Sequence, residues 1–249
     1  MSSAGTLAAV RAERHAGLTV GTGTDLAAAA ALGHVPLGFS EIPLAVCDYP
    51  IVLIKDGATG AFRLVALLGF AANRNLFVIG ESWAATYLPH NVLRLPFYLG
   101  APDGGAPELC LDEASSLIGR TPGHALFEPN GTETAFLAGR RKLLQTMLAD
   151  AEKTAAFVSA ITAARLVTPM TITLHHADQH QQDIEGAYTI DPLALEALDG
   201  AALIALHRDG HLGAIYAVMH SLGQLSRLEQ LHNAHGERPI TRSAVQLHL

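Results

Sequence analysis

Cysteine, aromatic side chains and positive charge are all scarce in this 249-residue chain, and each shortage closes off a class of protein. There are two cysteines, Cys47 and Cys110, with no CxxC spacing, so a disulfide framework is not expected and a reducing compartment is. Both sit among apolar neighbours, where a buried free thiol is the expected occupant. Lys and Arg number 16 against 23 Asp and Glu, a formal net charge of −7. The basic footprint of a nucleic-acid binder is therefore missing, as is the polybasic segment that favours an anionic membrane surface. Long apolar runs are missing too. The least polar stretch, residues 26–39, is interrupted by Gly33, His34 and Pro36, whereas a spanning helix needs about 20 apolar residues. Near the N-terminus, Arg11, Glu13 and Arg14 break up any apolar core of a secretory signal. These absences point to a cytoplasmic protein without a membrane span. With 49% hydrophobic residues and a mean hydropathy of +0.26, general disorder is excluded and a folded core is expected.

Catalytic motifs are also lacking. There is no P-loop, HExxH, nucleophile elbow or SxxK. Gly21-Thr22-Gly23 lacks the third glycine of a dinucleotide loop. Asp112-Glu113 and Glu128 read as caps and solvated faces, since general acid–base work needs two carboxyls at a defined separation. No catalytic residue and no cofactor are assigned.

What is present is pattern. Residues 49–55 and 62–69 are rich in strand formers and are joined through Asp56 and Gly57, which predicts an antiparallel hairpin. Residues 75–79 extend it to a meander. Residues 109–111 predict another short strand. A helical repeat of apolar residues from Phe136 to Ile161 predicts a long helix within 130–166, capped by Asn130 or Thr132 and weakened at Gly139. Residues 170–174 alternate with threonine as a strand does. Asp191-Pro192 opens a further helix, and residues 203–231 hold one or two more, divided near Asp209-Gly210. Strands first and helices later predict an α+β fold, with an antiparallel meander in the N-terminal half and helices in the C-terminal half. The expected organisation is an N-terminal extension over 1–35, an α+β domain over 36–232 and a polar, patternless tail over 233–249.

Histidine is plentiful, with 13 copies, and His175, His176, Asp178 and His180 are clustered. Strand alternation would send His175 and His176 to opposite faces, so the cluster is expected to be a polar hairpin and not a metal site. The most distinctive segment runs from Trp83 through Tyr87, Arg94 and Phe97 to Tyr98, broken by Pro89 and Pro96. Aromatics with arginine are the composition of binding hot spots and ligand pockets, and equally of a core crossed by a proline-ordered loop. Trp83, Tyr87, Arg94 and Phe97 are the candidate ligand-binding residues. Arg94 is expected beside aromatic faces, where its guanidinium can stack or grip a carboxylate.

The ordered series Ile42-Pro43-Leu44-Ala45, Tyr49-Pro50-Ile51-Val52, Leu67-Leu68-Gly69, Asn75-Leu76-Phe77-Val78, Trp83, Tyr87-Leu88-Pro89, Arg94-Leu95-Pro96-Phe97 and Leu109-Cys110-Leu111-Asp112-Glu113 carries a resemblance. With Leu126-Phe127, Thr154, Phe157, Leu166, Pro169, Tyr216, Ser221-Leu222 and Leu228, it resembles the bacterial SapC family over residues 35–231. The resemblance implies a non-enzymatic binding or accessory protein tied to a surface-layer locus or to outer-membrane uptake through TonB-dependent receptors. The rival it implies is an enzyme or enzyme subunit acting on a small molecule or peptide beside a flavin-dependent tryptophan-halogenase-like partner. The expected partners are a protein or a small anionic ligand, and a second copy of the chain is a further candidate.

Overall fold

The computed structural model describes residues 7–101, 104–235 and 238–249. The chain divides into two compact units, Met1–Ala29 with His90–Ala149 and Ala30–Pro89 with Asp150–Leu249. The α+β class holds, with antiparallel sheets and a long helix followed by shorter ones.

The larger unit is built on a six-stranded antiparallel sheet ordered Ile240–Leu247, Val167–His176, Gln181–Ile190, Ile51–Lys55, Phe62–Leu67, His34–Pro36. Its central hairpin is set locally. Asp56 Oδ1 accepts from the amides of Ala58 and Thr59, and Gly60 takes the left-handed conformation at φ 69° that closes the loop. The strand Val167–His176 alternates in burial, with Met170, Ile172 and Leu174 inward, as a half-covered strand must. Ser221, fully buried, accepts from the amide of Ile51 at 2.8 Å and donates to the carbonyl of Val218. The helix His211–Ser221 is thereby tied to the start of the hairpin.

The smaller unit holds a three-stranded antiparallel sheet, Leu7–Ala9, Glu108–Asp112 and Phe97–Gly100, and a ribbon of Thr19–Gly21 with Gly123–Ala125. Its core is Val10, Val20, Phe97, Leu109, Leu111, Leu117, Leu126, Phe127, Leu137 and Leu144.

Several local expectations are corrected. Residues 75–79 do not extend the hairpin: Val78–Ile79 pairs with Ser82–Trp83, and the third strand beside Phe62–Leu67 is His34–Pro36. The long helix spans Ala135–Ala163 and runs unbroken through Gly139. Thr134 caps it, its Oγ1 accepting from the amide of Leu137, while Asn130 closes a turn ahead of it by accepting from Thr132. Leu137 and Leu144 of this helix enter the core of the smaller unit, and Phe157 and Ile161 are fully buried in the larger, which sustains a length that propensity alone would not. Cys47 is exposed, and only Cys110 is a buried thiol.

The stretch expected as an extension, 1–35, carries the strands Leu7–Ala9 and Thr19–Gly21 and the first two residues of His34–Pro36, and its residues 1–6 lie outside the described residues. The stretch expected as a patternless tail carries the edge strand Ile240–Leu247, and its residues 236 and 237 likewise lie outside them. No helix among the described residues is long and apolar enough to cross a membrane.

Candidate functional site

The unit boundary at Pro89 cuts the aromatic–arginine segment in two. Trp83 and Tyr87 belong to the larger unit, Arg94 and Phe97 to the smaller.

In the larger unit, Trp83 Nε1 donates to Tyr49 Oη at 2.9 Å, and Tyr49 Oη donates to the carbonyl of Tyr87. Tyr49 packs on Phe77 with ring centroids 4.7 Å apart, and Phe77 stacks with Trp83 at 6.0 Å. Beneath the turn lies Asp48, 2% exposed, whose Oδ2 accepts from the amides of Thr86 and Tyr87 at 3.0 and 2.8 Å. Its Oδ1 faces Arg227 Nη1 at 3.1 Å. Arg227 also donates to the carbonyl of Ala84 at 2.7 Å and lies over the Phe77 ring at 5.8 Å. Tyr87 Oη donates to Glu41 Oε1 at 2.8 Å, and Glu41 Oε2 accepts from the amide of Gly38. Gly38 has no room for a side chain, because a Cβ there would stand 2.0 Å from Asp150 Oδ2. Asp150 in turn takes the amide and hydroxyl of Ser40, and Thr154, one helical turn on, takes the amide of Phe39 at 2.8 Å.

Burial pushes the Tyr49 hydroxyl above its ordinary value. It does the same to Tyr87, where the negative Glu41 adds to the rise. Both are held as protonated donors. Arg227 opens this network onto a cleft of about 440 Å³ lined by Gln224, Ser226, Arg227, Gln230 and Leu231.

In the smaller unit, Arg94 follows the turn His90–Leu93. Its Nε donates to Asn91 Oδ1 and its Nη1 to the carbonyl of Phe97, both at 3.0 Å, and its Cζ lies 4.2 Å from the centre of the Tyr98 ring. Burial lowers its affinity for its proton. The expected stacking of Arg94 on an aromatic face is therefore present. Phe97 is fully buried in the unit's core and meets Phe136 edge-on at 6.0 Å, which places it under the site as support. Arg140, from the long helix, donates to the carbonyl of Leu93 at 2.8 Å and lies over the Phe136 ring at 5.1 Å. His124 stacks on that same ring at 4.5 Å.

The histidine cluster forms a hairpin tip between Val167–His176 and Gln181–Ile190, with His176 buried and His175 on the other face. No group of His, Cys, Asp and Glu suited to a metal ion occurs among the described residues.

Asp48, Arg140 and Arg227 were not among the residues singled out from the sequence. Asp48 follows an unremarkable Leu-Ala-Val-Cys run, and Arg140 and Arg227 fall inside helical periodicity, so no local signal distinguishes them from solvated charges.

Fold and site define an α+β chain in which arginines are laid on aromatic rings in each of two units. The SapC family model matches residues 10–228, and the chain belongs to the SapC family. The match begins inside the stretch expected to be an extension. No curated protein and no solved structure matches.

Proposed function

We propose that this chain is a non-enzymatic binding or accessory protein of a bacterial surface-layer or outer-membrane, TonB-dependent uptake system, acting from the cytoplasm. Membership of the SapC family is what supports that setting. The observation that carries the binding role is the use of the strongest charged groups. Asp48, Glu41 and Asp150 each accept two or more hydrogen bonds from fixed donors. Such carboxylates organise a surface; they are poorly placed to move protons for chemistry. Trp83 and Tyr87, on the turn that Arg227 holds through Asp48 and Ala84, and Arg94 on the Tyr98 ring supply aromatic and guanidinium groups of the kind on which partners gain most binding energy. The occupant is a protein partner or a small anionic ligand.

Two measurements on the purified full chain test this. An absorption spectrum with elemental analysis is expected to show neither flavin nor stoichiometric metal, and finding either would favour the enzyme-subunit reading instead. A protein from the cytoplasmic fraction of the same bacterium is expected to be retained by the immobilised chain and lost with Arg227→Lys, at a thermal midpoint within a few degrees of the wild type. Equal retention by both would remove the site from the proposal.

A further inference from the structure

The six-stranded sheet of the larger unit has two edges, and the chain treats them differently. His34–Pro36 is three residues long and closes on a proline, so it offers a neighbour little to pair with. Ile240–Leu247 is eight residues long and pairs with Val167–His176 along one side only. The outer side of its first half is guarded. Asn233, from the helix Leu225–Ala234, accepts from the Ile240 amide and donates to the Ile240 carbonyl, both at 2.8 Å, as a neighbouring strand would. Glu229, one helical turn earlier, accepts from the amide of Ser243 at 2.6 Å and from its hydroxyl. A register shift between His175 and His176 disrupts the ladder in the same half.

The second half has no such guard. Backbone groups of an antiparallel strand alternate between its two sides. The amide of His248 bonds Pro169 on the inner strand, whereas that of Ser243 turns away to Glu229. Arg242, Ala244 and Gln246 therefore face Val167–His176, and Ser243, Val245 and Leu247 face outward. The carbonyl of Ser243, the amide and carbonyl of Val245 and the amide of Leu247 meet no hydrogen-bond partner among the described residues. Residues 243–247, Ser-Ala-Val-Gln-Leu, contain no charge, glycine or proline to deter pairing. Val245 lies beside Ile172 and is 37% exposed, and Leu247 lies half-buried beside Met170. The apolar face of the sheet thus runs out to this border.

These open groups are complementary to themselves. A two-fold axis at Val245 sets Val245 opposite its own copy and Ser243 opposite the second copy's Leu247. Each Val245 amide then donates to the other Val245 carbonyl, and each Leu247 amide to the other Ser243 carbonyl. The Leu247 carbonyl falls opposite the Ser243 amide that Glu229 already holds, and stays with water. Arg242, the single formal charge of the strand, falls opposite the second copy's His248 and not opposite itself. A closed two-fold contact requires one patch that matches itself, and this stretch does. We propose that a second copy of this chain docks here, by antiparallel pairing of residues 243–247 about a two-fold axis at Val245, so that two six-stranded sheets become one. This goes beyond the binding role proposed above and does not depend on it. The contact is short, so the dimer is concentration-dependent. The competing role for this edge is the solvated border of a monomer.

The experiment follows the full chain by sedimentation velocity between about 1 and 500 µM, with backbone amide exchange read at both ends of that range. The expected result is a monomer–dimer equilibrium in which the amides of Val245 and Leu247 are protected only at high concentration and that of Ser243 throughout. Val245→Pro removes the amide at the axis but none that the strand uses toward Val167–His176, and Val245→Lys sets two like charges against each other. Each should weaken dimerisation about tenfold or more. A wild-type chain that stays monomeric across the range overturns the proposal. So does a dimer in which the Val245 and Leu247 amides exchange as fast as in the monomer, or one that both substitutions leave unchanged. The exchange measurement needs no variant, so it decides the matter even where a substitution prevents folding. Partner retention is read through Arg227, so the failure of one proposal does not pass to the other.

Discussion

Arg227 and Arg94 look alike in composition, each a guanidinium over an aromatic ring, but they differ in what answers the charge. Arg227 meets the buried Asp48 and the carbonyl of Ala84, and Asp48 also holds the amides of Thr86 and Tyr87. Its charge closes a network and positions the Trp83–Tyr87 turn. Among the described residues, Arg94 meets the amide oxygen of Asn91, the carbonyl of Phe97 and the ring and hydroxyl of Tyr98. An arginine with a buried counter-ion acts as a strut, because removing either partner strands the other. One held by neutral acceptors keeps its positive charge available to something outside the unit. Residue type does not separate these cases; the neighbouring carboxylate does.

The strongest way to break this comparison is to remove the counter-ion. Asp48→Ala strips the partner of Arg227 and the acceptor of two backbone amides, those of Thr86 and Tyr87, at a site 2% exposed. The expected loss is on the order of 3 kcal/mol, kept to the lower end because Arg227 is one-third exposed and screened by water. It is read from the urea midpoint at unchanged slope. Tyr87→Phe removes one donor from the buried Glu41 and should cost about 1–2 kcal/mol by the same measurement. Arg94→Ala, with no ion pair among the described residues to break, should cost about 1 kcal/mol. A loss as large as that of Asp48→Ala would make Arg94 a strut as well and end the contrast.

Smaller effects come from titration. The hydroxyls of Tyr49 and Tyr87 are raised in the folded chain. The folded state therefore holds these protons where the unfolded state loses them, and stability is intact below about pH 10 and falls as pH rises above it. Absorbance at 295 nm should show two of the five tyrosines ionising only as the chain unfolds. The imidazole of His34 is lowered by burial. The unfolded state then binds the proton first, so stability falls as pH drops below about 6.5. His34→Gln should remove that part of the slope while leaving stability at pH 8 nearly unchanged.

Much of the fold was legible because its signals are local. The hairpin of Ile51–Lys55 and Phe62–Leu67 has its loop chemistry in Asp56 and Gly57, and Asp191 stands as the cap where the helix Pro192–Glu196 begins. The strand His34–Pro36 was not legible. Three residues ending in proline carry no period, and their partner lies some thirty residues on. The edge strand Ile240–Leu247 buries only Ile240 fully, so its apolar alternation is faint. At the site, the spacing of Trp83 and Tyr87 and the placement of Arg94 near aromatics could be read from one short segment. Asp48 and Arg227 meet across long sequence separation, and only the folded chain brings an acid and a base of ordinary local context together.

The edge strand Ile240–Leu247 has a consequence for synthesis. It pairs antiparallel along Val167–His176 from Met170 to His176, so a nascent chain that has emerged only as far as the helix Leu225–Ala234 presents that strand with one hydrogen-bonding edge uncovered. An uncovered edge is a template for other chains. Premature termination before residue 240 would thus leave a product able to seed association with its neighbours, and ribosome-associated chaperones would have their longest task in the interval before the last strand arrives.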